Sequence, residues 1–446
     1  MKKTIIIVAI LLILIFSMMG FSSCKKETSL YVSHNVTVGK DGTYKILQLT
    51  DLHFINSDVT DKDPSKDYTL RDEWAMTAVT AIIEEAKPDM IVVTGDSIFT
   101  LDSTSIFTGT NDNYEAFKKV SKFIDSFEIP WLFIFGNHDE EGSLRHRISS
   151  SVKTDDKELE AYLNTKATKQ VLGAYLKSSD IKYCMYEEGP DDITGVGNYI
   201  VNVLNRDGSV NNSLVMLDSG SYIYVYDKEA GKLYPDQRKY EYVHGDQLDW
   251  YEAAIKDISR IENRLVQSII FQHIPFPTYQ SVVDSFIEAL GEKWEDTINA
   301  KWQYGNELTL NTEIGEITYH GGVAGEENHE VCASFIGTFH GKNFDGGHEF
   351  ERILSLGSTK YVFCGHDHRN TFSFTYQGVR LSYGMSIDYS ANGIVPPPIA
   401  DNQTIYDDVE QRGGTLITLN KDSSVQIAQI PFTRNLYRET LASMGK

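Results

Sequence analysis

Short, continuous apolar runs alternate along this chain with longer amphipathic stretches. The apolar runs are typical of strands buried on both faces of a sheet, and they lie at 44–50, 90–94, 130–135, 267–271 and 361–364. The amphipathic stretches predict helices at 71–87, 113–127, 157–177 and 246–262. Near the C-terminus, 415–420 and 425–432 predict a hairpin that completes a sheet. The pattern therefore predicts an α/β fold.

The five apolar runs share one property, because each of them ends in side chains that can bind a metal ion. In chain order these are Asp51 with His53, Asp96, Asn137 with His138 and Asp139, His273, and His366 with His368. The carboxyl ends of strands are where open α/β sheets collect their ligands. Mixed Asp, Asn and His ligands leave zinc, manganese and iron all open. Histidines buried only for packing do not explain why all five strand ends hold Asp, Asn or His, so the sequence predicts a metal site.

The last block, Gly365-His366-Asp367-His368, is the densest of these signals. Gly365 permits a close backbone approach or an unusual φ at the end of the strand. His366 and His368 are two residues apart and therefore leave the strand on the same side. Asp367 lies between them and points the other way, so it is not predicted to be a ligand.

In this order, the five blocks resemble the calcineurin-like metallophosphoesterases, and the resemblance extends from about Tyr44 to about Tyr383. A narrower similarity is to the branch that contains a yeast cell-cycle-regulator phosphatase and small plant purple-acid-phosphatase-like proteins. The residues that carry it are 217–222, 246–250, 273–277 and 381–384. The resemblance implies a four-layer αββα sandwich, with two mixed sheets flanked by helices and the metals at one edge.

The resemblance also implies a role for each residue of the blocks. One metal would be held by Asp51, His53, Asp96 and His368, and the second by Asp96, Asn137, His273 and His366. Asp96 would bridge the two divalent ions, which could be manganese, iron or zinc. His138 would act on the phosphoryl group as a proton donor or charge stabiliser, and Asp139 would support the His138 loop.

The implied activity is hydrolysis of phosphate esters by in-line attack of a metal-bridging hydroxide. A phosphodiesterase or nucleotidase that acts on extracellular nucleotides or lipid head groups is an alternative. A surface binding module with a vestigial metal site is another, although every matched ligand position holds a competent side chain. Phe99 stands where purple acid phosphatases have a tyrosinate ligand, which argues against a ferric-tyrosinate site.

The amino terminus resembles a secretory signal peptide. A short basic start precedes an apolar run of residues 5–19, which is shorter than the about 20 residues that a membrane-spanning helix needs. The following residues 20–26 resemble a bacterial lipoprotein cleavage box in which Cys24 would carry the lipid. An ordinary exported signal with an incidental Cys24 is the alternative. The prediction is an exported protein of the bacterial cell envelope, held at the membrane by a lipid anchor.

Three cysteines remain after Cys24, namely Cys184, Cys332 and Cys364, and an odd number cannot be fully paired. Cys364 is predicted to be a buried thiol, and one bridge between Cys184 and Cys332 is possible. The formal net charge of −22 argues against binding of duplex nucleic acid through phosphate neutralisation. Oligomeric state is left open by the sequence.

The metal blocks span most of the 446 residues, which predicts one elaborated domain rather than several. The predicted organisation is a signal peptide at 1–23, a tether with a first strand at 24–40, and the phosphoesterase domain at 41–435. A C-terminal tail follows at 436–446. Within the domain, an insertion at about 280–345 has few clear strands and is expected to cross over the active site.

Overall fold

The structure is a computed structural model that describes residues 27–56, 70–99, 110, 112–140, 168–223, 226–227, 232–233, 238–294, 305–339, 342–390 and 412–443. The predicted signal peptide and Cys24 lie outside these residues. So does the first part of the helix predicted at 157–177. In the part of the chain that is described, no helix is both long and apolar enough to cross a bilayer.

The described helices are α1 (Arg71–Ala86), α2 (Asn113–Asp125), α3 (Lys169–Leu176), α4 (Gly245–Glu262), α5 (Thr278–Leu290), α6 (Glu349–Leu356) and α7 (Arg434–Ser443). The first ten strands are β1 (Val32–Thr37), β2 (Tyr44–Leu49), β3 (Met90–Thr94), β4 (Trp131–Ile134), β5 (Tyr199–Leu204), β6 (Val210–Met216), β7 (Tyr222–Ile223), β8 (Tyr226–Asp227), β9 (Lys232–Leu233) and β10 (Lys239–Tyr240). The others are β11 (Ser268–Phe271), β12 (Leu308–Thr312), β13 (Gly315–Tyr319), β14 (Gly337–Phe339), β15 (Lys342–Phe344), β16 (Thr359–Cys364), β17 (Ser373–Tyr376), β18 (Val379–Tyr383), β19 (Gly413–Leu419) and β20 (Val425–Pro431).

Two large mixed sheets contain the strands that carry the predicted metal blocks. The five-stranded sheet has the order β20-β19-β2-β3-β4, in which β2, β3 and β4 are parallel. The nine-stranded sheet has the order β1-β5-β6-β11-β16-β18-β17-β13-β12, in which β6, β11, β16 and β18 are parallel. Each sheet therefore contributes the carboxyl ends of neighbouring parallel strands to the edge where ligands collect.

Alternation along the strands of the nine-stranded sheet defines the layers. Phe363 and Ile269 pack into the same core as the five-stranded sheet, α1 and α2. The next residues along, such as Val362 and Ile270, pack into a second core with α4, α5 and α6. Successive side chains of a strand point to opposite faces, so the sheets lie face to face with helices on both outer surfaces. The predicted four-layer αββα sandwich is confirmed.

The segment at 280–345 differs from its prediction. It contains the antiparallel pair β12–β13, which extends the nine-stranded sheet through pairing of β13 with β17, and the small hairpin β14–β15. The prediction of few strands was wrong because β12 is an edge strand whose residues are half-buried or exposed. Such a strand lacks the continuous apolar run that marks a buried one. Just before this hairpin, the chain contacts β10, since Phe335 N donates to the Tyr240 carbonyl at 3.0 Å.

The predicted C-terminal tail at 436–446 is described as far as Ser443, and that part lies in α7. α7 packs against α1, and its Tyr437 is buried in the first core beside Phe432. The possible bridge between Cys184 and Cys332 is not formed, because both are free thiols in separate places. Cys184 lies beside Trp131 at the end of the five-stranded sheet, whereas Cys332 N donates to Asp367 at 3.2 Å. Cys364 is a buried free thiol, as predicted.

Glu349, the first residue of α6, is an ionisable group buried in this framework. Its carboxyl is only 4% exposed, and its Oε1 has no hydrogen-bond partner in the described part of the chain. Burial raises the pKa of Glu349 from 4.5 to about 8, although a hydrogen bond with Gln272 acts in the opposite direction. The protonated carboxyl therefore stabilises the fold below the unfolded pKa, and this stability is lost progressively as the pH rises to about 8.

In the presence of a chelator, we expect Glu349→Gln to raise the free energy of unfolding near neutral pH by on the order of 3 kcal/mol, and to give no gain near pH 4.5. The measurement is the urea midpoint of variant and parent between pH 4.5 and 8. Glu351→Gln is the matched control, because Glu351 is exposed on the same helix and should change little at any pH. A stability difference that stays constant across this range would contradict a titrating, buried Glu349.

Candidate metal centre

The ends of five parallel strands bring the predicted residues to one place. β2 leads into Asp51 and His53, β3 into Asp96, β4 into Asn137, β11 into His273, and β16 into His366 and His368. Two overlapping groups form, each with one ligand atom per residue and all of these atoms within 4.8 Å of one another. The first group is Asp51, His53, Asp96 and His368, and the second is Asp96, His273 and His366.

The backbone at these strand ends is left-handed. Asp51, His53, Asp96 and His366 have φ values of 52°, 50°, 48° and 81°. Non-glycine residues in this region carry strain of roughly 1–3 kcal/mol each, and such residues cluster at functional sites. The loops are cross-linked, since Asp51 N donates to the Gly95 carbonyl and His53 N donates to the Asp96 carbonyl at 3.2 and 3.0 Å. The surrounding structure thus holds the backbone of these residues in a left-handed conformation that it would not favour alone.

In the first group, two imidazoles converge on carboxylates. His53 Nε2 lies 3.8 Å from Asp51 Oδ1 and 3.7 Å from Asp96 Oδ2, and His368 Nε2 lies 3.7 Å from Asp51 Oδ1. These separations exceed a hydrogen bond. They leave room for an ion among the four atoms, and oxygen and imidazole ligands together suit zinc, manganese or iron.

In the second group, acceptors face one another. The Nδ1 of His273 lies 2.8 Å from the Thr94 carbonyl and donates to it, so Nε2 is the nitrogen whose lone pair a metal would take. That Nε2 faces Asp96 Oδ2 at 3.2 Å, Asn137 Oδ1 at 3.1 Å and His366 Nδ1 at 3.3 Å. Asn137 keeps its oxygen towards the site because its Nδ2 donates to Tyr222 Oη at 2.7 Å. Converging lone pairs of this kind call for a cation between them.

The pKa shifts follow from the same crowding. Burial opposes charge on His273, but the Asp96 carboxylate outweighs it and raises the pKa of His273 to about 9. Burial and the neighbouring His273 hold the pKa of His366 well below its ordinary value, so this imidazole stays neutral with one ring nitrogen free to coordinate. A metal ion binds deprotonated ligands and releases protons. It would therefore replace the proton that His273 otherwise retains.

Buried atoms without partners give an independent test of whether these residues fit metal ions. Within the described residues, His53 Nε2, Asp96 Oδ2 and His366 Nε2 are buried and make no hydrogen bond. An unpaired buried polar atom costs about 1–3 kcal/mol, and more when the group is charged. His53 Nε2 and Asp96 Oδ2 face each other at 3.7 Å and fit a divalent ion, because coordination would satisfy both together. His366 Nε2 lies on the other side of its ring, since its Nδ1 faces His273.

Close backbone packing holds the loops in place. A Cβ on Gly365 would overlap Thr50 Oγ1, so only glycine lets the β16 loop meet the β2 loop. Asp139 is buried and accepts from the backbone N–H groups of Asp96, Ser97, Ile98 and Gly136 at 2.7 to 3.3 Å. It therefore ties the loop after β4 to the loop after β3.

His138 and Asp367 lie beside the two groups but outside them. His138 N donates to Asp96 Oδ1 at 2.8 Å, and its ring lies edge-on to the rings of His53 and Phe99 at 5.5 and 5.1 Å. Its side chain is 15% exposed, whereas the side chains of His53 and His273 are fully buried. Asp367 points away, as predicted, and accepts from Tyr383 Oη, Asn370 Nδ2 and Cys332 N.

Sequence reasoning missed three residues that touch the ligands. Tyr222 entered the sequence analysis only within the 217–222 resemblance, yet its hydroxyl accepts a hydrogen bond from Asn137 Nδ2. Tyr240 lies edge-on to His366, with ring centroids 4.3 Å apart. Asp388 follows β18, and its carboxylate faces His53 and His368. The strand-end rule could have indicated Asp388, because β18 is parallel to β16 and ends at the same edge.

Comparisons with known proteins agree with this geometry. The sequence profile of the calcineurin-like phosphoesterase family matches residues 44–370. Probable inactive purple acid phosphatase 29 of Arabidopsis thaliana is 25% identical over 369 residues, which is 79% of this chain and 74% of that protein. Phosphatase DCR2 of Saccharomyces cerevisiae is 28% identical over 250 residues, covering 54% of this chain and 36% of that protein.

Among solved structures, a dimetal phosphatase from Danio rerio aligns with 87% of this chain and 99% of its own, at 11% identity and a TM-score of 0.38. The family assignment rests on the sequence profile, which spans the ordered blocks from the strand before Asp51 to the loop that holds His366 and His368. The chain therefore belongs to the calcineurin-like phosphoesterase family.

Proposed function

We propose that this protein is a metal-dependent phosphohydrolase that cleaves phosphate esters at a centre of two divalent metal ions. The observation that carries the proposal is the position of Asp96 Oδ2. This one buried atom lies 3.7 Å from His53 Nε2 and 3.2 Å from His273 Nε2, and it has no hydrogen-bond partner among the described residues. A single carboxylate oxygen shared between two ligand groups is what a bridged pair of metals needs.

Each residue of the centre has an assigned part. Asp51, His53, Asp96 and His368 would hold one metal, and Asp96, Asn137, His273 and His366 would hold the other. When bound, two such ions supply a nucleophile for in-line attack at neutral pH and neutralise charge on the phosphoryl oxygens. Manganese, iron and zinc all suit this donor set. Phe99 supports a centre without a tyrosinate ligand, since its ring stacks on His53 at 5.3 Å and offers no oxygen.

We assign His138 to act on the phosphoryl group of the substrate. It is the histidine of the blocks that has an exposed edge without belonging to either ligand group. From there it can donate a proton to the leaving oxygen or stabilise charge on the phosphoryl group. Its backbone bond to Asp96 Oδ1 keeps the ring beside the shared carboxylate.

The name of one relative favours the alternative of a vestigial metal site, because the Arabidopsis protein is described as probably inactive. In this chain each matched position holds a side chain that can ligate, and the ligand atoms converge. Monoesters and diesters are both compatible with the proposal, so a phosphodiesterase or nucleotidase remains its closest variant. We also propose export and lipid anchoring at Cys24, supported by the sequence of residues 1–26 alone.

We expect full-length protein stripped with a chelator to lose hydrolysis of p-nitrophenyl phosphate or its diester by at least about 100-fold, because the nucleophile depends on the metals. Adding back manganese, iron or zinc should restore the rate, with two metals bound per chain at saturation. Protein taken through the same buffer exchange without chelator is the control. Undiminished hydrolysis by protein shown to be metal-free would rule the proposal out.

A further inference from the structure

Asp388 lies behind the first group of ligands, on the side away from the metal position. Its side chain is 3% exposed. Oδ1 lies 3.8 Å from His53 Nδ1 and Oδ2 lies 3.2 Å from His368 Nδ1. One carboxylate thus faces two imidazoles of the same ligand group, whose ring centroids are 4.6 Å apart.

This placement determines which nitrogen of each ring is free. A carboxylate beside Nδ1 favours the proton on that nitrogen and leaves the lone pair on Nε2. The Nε2 atoms of His53 and His368 are the atoms that point at Asp51 Oδ1, at 3.8 and 3.7 Å. Both Nδ1 atoms are buried without a hydrogen-bond partner among the described residues, so Asp388 acts on the two rings through its charge at these distances and favours coordination through Nε2.

The carboxylate is itself held in position. Ser390 N donates to Asp388 Oδ1 at 2.7 Å, and Asp388 N donates to Ser386 Oγ at 3.1 Å. Arg412, just before β19, donates from Nε to the Asp388 carbonyl at 2.7 Å. These hydrogen bonds join the loop after β18 to the start of β19 in the five-stranded sheet. The Asp388 carboxylate is therefore held facing His53 and His368.

Among the residues that the structure describes, no carboxylate lies behind the imidazoles of the second ligand group at a comparable distance. Its His273 has Nδ1 against the neutral Thr94 carbonyl, and Asn137 brings an uncharged oxygen. Asp96 is its one carboxylate, and the first group shares it. The first position therefore has the carboxylates of Asp51 and Asp96 as ligands and that of Asp388 at 3.8 and 3.2 Å from its two imidazoles. The second has the shared Asp96, while the nearby Asp139 carboxylate binds backbone N–H groups of the loops and no ligand ring. Opposite charges at these separations attract strongly inside a protein.

We infer that Asp388 is a positioning residue that makes the metal position at Asp51, His53 and His368 the tighter of the two, so that this position fills first. The inference rests on the proposed two-metal function. It adds a sequence of filling, with the first position occupied before the second, which the ligand residues alone do not indicate.

The test is a manganese titration of the chelated, full-length protein by equilibrium dialysis, with bound metal counted per chain. The parent should show a tight and a weaker class of site. His273→Ala should remove the weaker class and thereby identify it. Asp388→Asn should weaken the tight class by about 10- to 100-fold and leave the weaker one unchanged. Asp388→Glu should recover part of the loss, which a general defect in folding would not allow.

Asp125→Asn is the matched control. Asp125 is a buried carboxylate, 8% exposed, that binds the Trp131 indole away from the centre, so its variant should keep both affinities. Unchanged tight binding in Asp388→Asn, or equal weakening of both classes, would overturn the inference. A parent protein that binds fewer than two metals would instead refute the proposed two-metal centre, which separates the two failures.

Discussion

Asp96→Asn should bind neither metal tightly and should lose at least about 10³-fold in turnover. The substitution keeps the shape of the side chain and removes only the charge that both ligand groups share. Asparagine also tolerates the left-handed backbone at this position, where φ is 48°, better than alanine does. The loss can therefore be attributed to the carboxylate. Metal content after dialysis and the rate on an aryl phosphate are the two measurements.

Folding of this variant can be checked without metal. In chelator near neutral pH, Asp96→Asn should unfold cooperatively in urea but at a lower midpoint than the parent, because the Asp96 carboxylate raises the pKa of His273 to about 9 and its own pKa lies well below the ordinary value. Loss of the cooperative transition would mean that the fold, rather than the centre, had been damaged. Two firmly bound metals per chain in the variant would show that Asp96 does not bridge.

His138→Ala should behave in the opposite way, retaining both metals while turnover falls by about 10²–10⁴-fold. His138 lies 3.9 Å from Asp96 Oδ2 through its Nε2 and outside both ligand groups. If it donates a proton, the loss should be larger for alkyl phosphates than for p-nitrophenyl phosphate, whose leaving group needs no proton. A loss of equal size on both substrates would favour charge stabilisation.

His320→Ala is the control for removal of a half-buried histidine. His320 contacts Glu307 and Thr375 at the far end of the nine-stranded sheet and should be dispensable for turnover. Metal depletion in His138→Ala, or turnover close to that of the parent, would remove His138 from its assigned role.

Much of the centre could be predicted because its information is local. A buried strand is a continuous apolar run, and the residue that follows it leaves the sheet at a known edge. Asp51, Asp96 and His273 are each found by that rule within one short segment. Gly365 was predicted to allow a close approach, and a Cβ there would overlap Thr50 Oγ1.

Other parts could not be predicted because their partners are distant in the chain or leave no pattern. Asn137 and its partner Tyr222 are 85 residues apart, and nothing in the Tyr222 segment distinguishes a hydroxyl that orients a ligand from one that packs. The edge strand β12 has no buried run, so it was missed. Tyr437 is buried only because α7 packs against α1, which lies near the other end of the chain.

The sequence by itself determined the fold class, the order of the strands that carry ligands and the chemistry of those ligands, because each depends on residues within a few positions of one another. Only the tertiary structure decided how the ligands are grouped. The backbone N–H of His366 meets the Asp51 carboxylate, 315 residues away, at 3.2 Å. It also decided that Asp388 stands behind one group and not the other, since that asymmetry arises where two sheets meet.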